Sequence, residues 1–398
     1  MDMTTVRFKG DTQNSFFGTF LYAQILPKDH FLVKAKNTIP WERFTAKLLR
    51  HYKGGGQYGR TAYEPAKMLR MLLVSYLYNI SERDTEEFVP LNLAGKYFVG
   101  LGADEPAPDH SSLTTFKERI MGAVGIKGYE AMFNELLRVA MDKGIVFGQI
   151  HTLDSVHTIA LVNIPKDTFR KEREGKGPRD PDARWGVKKV RKIKQDDGSI
   201  KTVNDSFYGY KTHVSRDTGS GLVSALTITS GQVSDGGELQ SLVNKDRKLG
   251  ITTEGTITRD GGTAYTADKA YDDGDNHTFL EAKGFQSAII LKNTRTGSKN
   301  EKNNAFWQSF KDREMYQRAT ALRYMAEQPF GIAKRCHGFT RARYLGKTNM
   351  AIQSSLTFMA INLKQIIKTT TGVGFRRSLV YATVPIHAGS SREYCRCF

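Results

Sequence analysis

The sequence predicts an all-helical N-terminal domain followed by an α/β domain with a mixed five-stranded sheet. Two observations carry this prediction. Between residues 40 and 144, apolar residues recur at the spacing of amphipathic helices. From Ile145 onward, β-branched and alternating segments give the order three strands, helix, strand, helix, strand and a long helix. This order of elements is that of an RNase H-like α/β domain.

The helical part of the chain has clear start signals. Residues 1–39 are expected to form an arm with short extended pieces, such as 30–34. Helices are expected to begin at Pro40, at Tyr63, at Ser81, near Ser111 or Ser112, and at about Tyr129. Residues 40–144 are therefore predicted to be a compact helical domain. It either reads DNA like a helix-turn-helix protein or serves as a bundle for dimerisation, and both interpretations stay open.

The α/β part is predicted to span residues 145–345, with a helix and tail at 346–398. Its expected strands are 146–150 and 153–162 (a pair, or one long bent strand), 207–215, 222–229, 263–271 and 286–292, and its expected helices are 235–249 and about 275–283. A polar, strongly basic insertion interrupts it at roughly 164–204.

Composition restricts the class of protein. Lys and Arg number 59 against 41 Asp and Glu, which gives a formal charge of +18 spread through the chain. Nucleic acid is the first candidate partner for such a surface, although a merely basic protein would look the same. Three cysteines without ligand spacing, no apolar run of membrane-span length and no signal-peptide core favour the cytoplasm.

Segment 320–334 is the most unusual stretch of the chain. Read as a helix at about 100° per residue, it places Arg323, Glu327 and Lys334 within roughly 40° of one another. Pro329 is expected to bend this helix directly after Glu327. A solvated surface helix would show the same spacing, and there Glu327 would only pair with Arg323.

Two further carboxylates can join Glu327. Asp154 lies inside an apolar strand, where an unpaired charge is costly, and Asp268 ends a short strand. Taken singly, Asp154 is explained by solvation at a strand edge and Asp268 by capping of a turn. Together the three predict a site for two Mg²⁺ ions about 4 Å apart, the arrangement that catalyses phosphodiester hydrolysis and transesterification.

These residues resemble those of bacterial insertion-sequence transposases of the DDE type, in the group that includes the IS-five and IS-eleven-eighty-two families. The resemblance covers roughly residues 60–365. It is carried by Y-E-P-A-K-M-L-R-M-L-L to P-D-H-S-S-L-T-T-F in the helical part, and by D-P-D-A-R-W-G (180–186), Y-G-Y-K-T-H-V (208–214) and T-A-D-K-A-Y (266–271). Arg323, Glu327 and Lys334 keep the last two gaps of the family's tyrosine–arginine–glutamate–lysine signature, whereas the tyrosine position holds Thr320.

The resemblance implies a metal-binding catalytic triad of Asp154, Asp268 and Glu327, with Mn²⁺ able to replace Mg²⁺. It implies that a homodimer cuts double-stranded DNA at terminal inverted repeats and joins the 3′-hydroxyl ends to target DNA, in the bacterial nucleoid. The residues expected to bind DNA are Arg323, Lys334, Arg184, Trp185, Lys188, Lys189, Lys211 and His213. Trp185 would stack on an unpaired base or pack under a basic loop, and His213 is either structural or phosphate-facing. The competing hypotheses are a catalytically idle DNA-binding relative and an RNase H-like nuclease without joining activity.

Overall fold

The computed structural model describes residues 8, 16–49, 52, 61–194, 200–252, 262–296 and 301–376. The chain divides into two compact units. Unit 1 comprises Met1–Ala123, Arg335–His337 and Leu363–Phe398, and unit 2 comprises Val124–Lys334 and Gly338–Asn362. The first boundary falls at Ala123, whereas the sequence places it after residue 144. The four-part functional division of the chain stays a prediction.

Unit 1 is built from helices around one strongly buried segment. Its helices are α1 (Phe16–Ile25), α2 (Phe31–Thr38), α3 (Glu42–Leu49), α4 (Pro65–Tyr78), α5 (Glu82–Leu91), α6 (Leu93–Val99) and α7 (His110–Val124). Every residue of α4 is buried, so this helix is the centre of the unit. As the sequence predicts, Ser81 caps α5, in a reciprocal capping box with Asp84.

Two expectations about the N-terminal part are wrong. Residues 31–38 form helix α2, capped by the His30 ring, rather than an extended piece of an arm. Helix α7 begins at His110, and the Oδ1 atom of Asp109 accepts a hydrogen bond from the Ser112 N–H at 2.6 Å. Asp109 therefore performs the capping that the sequence assigns to Ser111 or Ser112.

Unit 2 contains the sheet and the helices that cover it. Its helices are α8 (Lys127–Asp142), α9 (Ile164–Glu174), α10 (Leu239–Leu249), α11 (Gly274–Ala282), α12 (Asn293–Thr296), α13 (Glu301–Lys311), α14 (Glu314–Ala321), α15 (Glu327–His337) and α16 (Lys347–Thr371). Its strands are β1 (Ile150–Ile159), β2 (Arg184–Lys194), β3 (Ile200–Asp217), β4 (Val223–Ser230), β5 (Ala264–Ala267) and β6 (Gln286–Ser287). The last residues of α15 and α16 belong to unit 1.

The sheet has the order β4–β3–β1–β5–β6, with β2 added to the other end of β3. β1 is antiparallel to β3 and parallel to β5, and β5 is parallel to β6. Three antiparallel strands followed by two parallel ones, joined through helices, form the mixed five-stranded sheet of an RNase H-like fold. The predicted fold class is therefore confirmed.

Both faces of the sheet are covered by apolar packing. On one face Leu153, Tyr265 and Ala267 pack with residues of α10 and α11. On the other face Ile150 and Ala264 pack with Phe310 of α13 and Met315 of α14. Alternate residues of β1 and β5 thus enter opposite halves of the core, as strand geometry requires. This packing fixes the register of β1, on which the candidate site depends.

Several elements differ in extent from the predictions. Residues 150–159 form one strand, the second of the two expected arrangements, and β6 has two residues instead of seven. Part of the basic insertion is ordered as α9, β2 and the start of β3. Residues 377–398, which include most of the predicted tail, lie outside the described residues. Within the described part of the chain, none of the helices is both long and apolar enough to cross a membrane.

Candidate active site

Asp154 and Asp268 are placed side by side by the parallel pairing of β1 and β5. The register pairs Leu153 with Ala267, and the two aspartates are the next residue on each strand. Neighbouring strands lie about 4.8 Å apart. The pairing therefore brings both carboxylates to one edge of the sheet, as the sequence predicts.

Asp154 carries a charge that its surroundings compensate poorly. Its side chain is 18% exposed, and its Oδ1 atom accepts a hydrogen bond from the adjacent Ser155 N–H at 2.7 Å. Burial raises the pKa of Asp154 to about 7, and the charges of Asp268 and Asp235 act in the same direction. The Ser155 hydrogen bond and the Arg323 guanidinium lower this pKa without offsetting the burial.

Asp268 also stabilises the turn that follows β5. Its Oδ1 atom accepts a hydrogen bond from the Ala270 N–H at 2.8 Å, which begins the 3₁₀ turn Lys269–Tyr271. The capping interpretation of Asp268 is thus correct. It does not exclude a catalytic role, because the carboxylate remains beside Asp154 and acts on its pKa.

Glu327 reaches the site from a helix terminus. α14 ends at Ala321, a 3₁₀ turn covers Arg323–Ala326, and α15 begins at Glu327. The expectation of one helix bent by Pro329 is wrong. Pro329 lies in the first turn of α15, where its missing N–H removes no helical hydrogen bond. Arg216 of β3 donates a hydrogen bond to the Met325 carbonyl, which ties this turn to the sheet.

Arg323 connects the aspartate and the glutamate. Its Nη1 atom lies 3.9 Å from Oδ2 of Asp154, and its Nη2 atom lies 3.6 Å from Oε1 of Glu327. The Glu327 side chain is 67% exposed, whereas that of Arg323 is 25% exposed. Asp154, Asp268, Arg323 and Glu327 therefore share one end of the sheet.

Three lysines lie close enough to His157, three residues after Asp154 on β1, to affect its pKa. Burial lowers the pKa of His157 to about 4, and the charges of Lys334, Lys188 and Lys211 add to this effect. Burial likewise lowers the pKa of Lys334, with a further contribution from Lys188. The structure thus brings together three of the residues expected to bind DNA.

Two parts of the chain match models of known protein families. Residues 20–119 match the model of a transposase domain described as DUF772. Residues 168–363 match the model of the transposase DDE domain. The chain belongs to the DDE transposase family. This is a family of phosphoryl-transfer enzymes that cleave and join DNA in transposition and use divalent metal ions.

Solved structures of transposases match this chain with low TM-scores and low sequence identity. A synaptic complex of the piggyBac transposase with hairpin DNA has a TM-score of 0.40 and 12% identity, over 87% of this chain and 74% of that one. The Mos1 mariner paired-end complex with Mn has a TM-score of 0.19 and 10% identity, over 92% of this chain and 95% of that one. Because both TM-scores lie below 0.5, the fold assignment depends on the sheet topology and on the family match.

The donor set of this DDE transposase suits a hard divalent cation, because carboxylate oxygens are the preferred ligands of Mg²⁺ and Mn²⁺. The uncompensated charge of Asp154 beside Asp268 is what such a cation would neutralise. Within the described residues, however, no three His, Cys, Asp or Glu side chains lie close enough together to hold a metal ion. Arg323 is the cation that lies between Asp154 and Glu327.

The remaining residues expected to bind DNA differ in their surroundings. Trp185 is 55% exposed and makes a tilted ring contact with Tyr208, so it is not packed under a loop. Arg184 is exposed, and its Nη1 atom donates to the carbonyls of Pro181 and Ala183. The Lys211 Nζ atom donates to Val233 O and to Asp235 Oδ1, both at 2.9 Å. The side chain of Lys189 lies outside the described residues.

The structure corrects the expectation that His213 binds DNA. It is fully buried, and its Nε2 atom lies 2.8 Å from Oγ1 of Thr229 on the neighbouring strand. Burial lowers its pKa to about 4. A buried, neutral imidazole cannot contact a DNA phosphate from this position, so the structural interpretation of His213 holds.

Sequence reasoning missed Asp235 and His157. Asp235 follows β4 in the segment V-S-D, acts on the pKa of Asp154 and accepts a hydrogen bond from Lys211. Asp235 lies five residues after the end of β4, so it lacks the signal that marks Asp268, which directly follows β5. His157 lies three residues after Asp154, and no local pattern in the sequence distinguishes it.

Two family-like motifs serve the scaffold. In the segment D-P-D, Asp180 is buried and accepts a hydrogen bond from the Tyr210 hydroxyl, and the Lys347 N–H that starts α16 donates to Asp182. In the segment Y-G-Y, a Cβ atom on Gly209 would lie 2.1 Å from the Thr158 carbonyl oxygen. These residues hold β3 against β1 and α16 rather than take part in chemistry.

Proposed function

We propose that this chain is an insertion-sequence transposase of the group that includes the IS-five and IS-eleven-eighty-two families. A homodimer on double-stranded DNA cuts at the terminal inverted repeats and transfers the 3′-hydroxyl ends to target DNA. The observation that carries the proposal is the register of β1 and β5, which sets Asp154 beside Asp268, together with Arg323, which lies within 4.0 Å of both Asp154 and Glu327.

The mechanism assigns metal binding to Asp154, Asp268 and Glu327. Two Mg²⁺ or Mn²⁺ ions held there would activate the attacking water or 3′-hydroxyl and neutralise the charge on the leaving oxygen. A metal ion held there would favour the ionised form of Asp154, whose pKa burial raises to about 7. Arg323 must then exchange its carboxylate partners for phosphate oxygens, for which a guanidinium is well suited.

The basic residues beside this edge orient the DNA. The charge of Lys188 contributes to the lowered pKa of Lys334, and an anionic phosphate between the two would relieve that repulsion. The exposed ring of Trp185 offers a surface on which an unpaired base can stack. These contacts fix the scissile phosphate, and the chemistry needs no covalent protein–DNA intermediate.

A catalytically idle DNA-binding relative is the alternative, and two observations favour it. The described residues contain no cluster of three potential metal ligands. The Thr320 hydroxyl, at the signature tyrosine position, donates to the carbonyls of Tyr316 and Gln317 in its own helix. A nuclease without joining activity is excluded only by detection of strand-transfer products.

A cleavage assay tests the proposal. Labelled duplexes carrying the DNA that flanks the gene are incubated with the protein in Mg²⁺ or in EDTA. We expect Mg²⁺-dependent nicks at defined positions, followed by strand-transfer products. Glu327→Gln should abolish both and retain binding to the duplex, because an amide is a poor ligand for Mg²⁺.

Glu314→Gln is the matched control. Glu314 pairs with Arg318 at the same i,i+4 spacing as Glu327 with Arg323, and its side chain is 63% exposed against 67%. The control should cut like the unmodified protein. Retained cleavage in Glu327→Gln would disprove the triad, and binding without nicking in either Mg²⁺ or Mn²⁺ would establish the idle relative.

A further inference from the structure

Strands β2 and β3 form a two-stranded ribbon that extends beyond the sheet. β2 pairs with residues 200–209 of β3, whereas β1 and β4 pair with β3 only from Gly209 and Tyr210 onward. Among the described strands, residues 187–194 and 200–206 therefore pair only with each other. At about 3.3 Å per residue this outer part is roughly 25 Å long.

The outer ribbon is largely exposed where the structure describes its side chains. Val187, Lys188, Thr202, Asn204 and Ser206 are all exposed. A hairpin without a third strand or a covering helix is marginally stable in water. A ribbon of this length is therefore expected to gain stability from a partner.

The charge of β2 identifies the kind of partner. Its sequence R-W-G-V-K-K-V-R-K-I-K contains six cations and no acidic residue. The facing stretch of β3, residues 200–209, adds Lys201 and Asp205. Such a charge on an edge strand also prevents strand-to-strand aggregation, but one or two lysines are enough for that purpose. Six cations along one strand match the phosphates of a nucleic acid.

We infer that this ribbon lies in the major groove of the DNA next to the cut, an inference that rests on the proposed function. The major groove of B-DNA is about 12 Å wide and admits a two-stranded ribbon, whereas the minor groove, at about 6 Å, admits one only when the DNA is deformed. In this position the ribbon brings the positive charge of β2 next to the phosphates that border the groove. The ribbon is a DNA-contacting element separate from the carboxylates and from the helical unit.

The strand register gives the distance of the contact from the cut. Asp154 lies five residues before Ile159, which pairs with Gly209, and the outer ribbon continues in the same direction. Along the strands it spans roughly 25–45 Å from Asp154. A duplex that runs along β3 from Asp154, at about 3.4 Å per base pair, meets the outer ribbon roughly 7–13 base pairs from the scissile phosphate.

Methylation interference shows which groove of the DNA the ribbon contacts. Dimethyl sulfate modifies guanine N7, which faces the major groove, and adenine N3, which faces the minor groove. The probe is the flanking duplex, bound by the full chain in EDTA so that no metal-dependent cleavage occurs. We expect interference by guanine N7 at 7–13 base pairs from the cut, and its loss when Lys189, Arg191 and Lys192 are all changed to Gln.

A control of equal charge separates this contact from general electrostatics. Lys283, Lys302 and Lys311 lie on or directly beside α11 and α13, and changing all three to Gln removes the same charge. The ribbon variant should lower the slope of log K against log salt by roughly 2–3, at about 0.9 per lost phosphate contact. The control variant should leave both the slope and the guanine interference nearly unchanged.

Two outcomes would overturn the inference. Interference by methylated adenine N3 alone would place the ribbon in the minor groove. Equal salt slopes for the two variants would show that the ribbon does not contact the DNA. Unfolding temperatures of both variants report folding, and Lys194→Gln is the milder substitute if the ribbon variant fails to fold. If no cleavage is ever seen but ribbon-dependent guanine interference persists, the proposed function fails and the ribbon contact stands.

Discussion

Asp154 and Asp217 lie on the paired strands β1 and β3, yet the protein treats the two carboxylates in opposite ways. Asp217 is fully buried and accepts hydrogen bonds from the Gly148 N–H, the Ser220 N–H and the Ser220 hydroxyl, at 2.9, 2.6 and 2.6 Å. Asp154 is partly exposed and accepts one, from its neighbour Ser155. The protein thus compensates the charge of Asp217 more fully than that of Asp154.

Burial alone does not identify a functional carboxylate. Asp246 is also fully buried, and burial raises its pKa, but it accepts hydrogen bonds from Ser215 Oγ at 2.6 Å and Tyr265 OH at 3.2 Å. Both donors lie within the packed core between the sheet and α10, where no DNA can enter. What distinguishes Asp154 is a buried charge with few donors at an accessible sheet edge, next to a second carboxylate.

The largest expected effect comes from Asp154→Asn. Removing a metal-binding carboxylate should reduce cleavage in Mg²⁺ roughly a thousandfold or more. The free energy of unfolding should not fall, because the amide removes the repulsion from Asp268 and the cost of burying a charge. Cleavage rates and urea denaturation at pH 7.5 measure the two effects. If the variant were strongly destabilised but still cleaved DNA, Asp154 would have the structural role that is assigned here to Asp217.

Asp217→Ala should show the opposite behaviour. It leaves the Gly148 and Ser220 N–H groups without their acceptor in a buried site, which costs about 3 kcal/mol of unfolding free energy. Ser220→Ala removes one of the three donors and should cost about 1 kcal/mol. Urea denaturation gives both values, and cleavage per folded molecule should stay unchanged. A loss of cleavage without a loss of stability would assign Asp217 to the active site.

The sequence predicted the part of the site that depends on local patterns. Asp154 stands out because it interrupts an apolar strand, and Asp268 because it ends one. The pairing of β1 with β5 then places the two aspartates side by side. The helix start at Ser81 is equally local, and that prediction is confirmed.

Long-range contacts decided the rest. Segment 320–334 contains no helix breaker before Pro329, so nothing local shows the 3₁₀ turn Arg323–Ala326, which Arg216 of β3 helps to hold. The lysine-rich β2 looks like a solvated loop until β3 pairs with it. Asp217 and Asp246 resemble ordinary polar residues, because their donors come from distant parts of the chain.

The smallest expected effect is a difference in pH dependence between the unmodified protein and Asp154→Asn. The pKa of Asp154 is raised from 3.8 to about 7, so folding favours its protonated form. The stability that this form provides is complete below pH 3.8 and is lost as the pH rises through 7. In EDTA, raising the pH from 5.5 to 8 should therefore lower the free energy of unfolding of the unmodified protein by about 2 kcal/mol more than that of Asp154→Asn.

Comparing the two proteins removes the opposite trend expected from His157 and His213, whose pKa values are lowered to about 4. Parallel stability curves would show that Asp154 is compensated as well as Asp217, and the contrast between the two carboxylates would disappear.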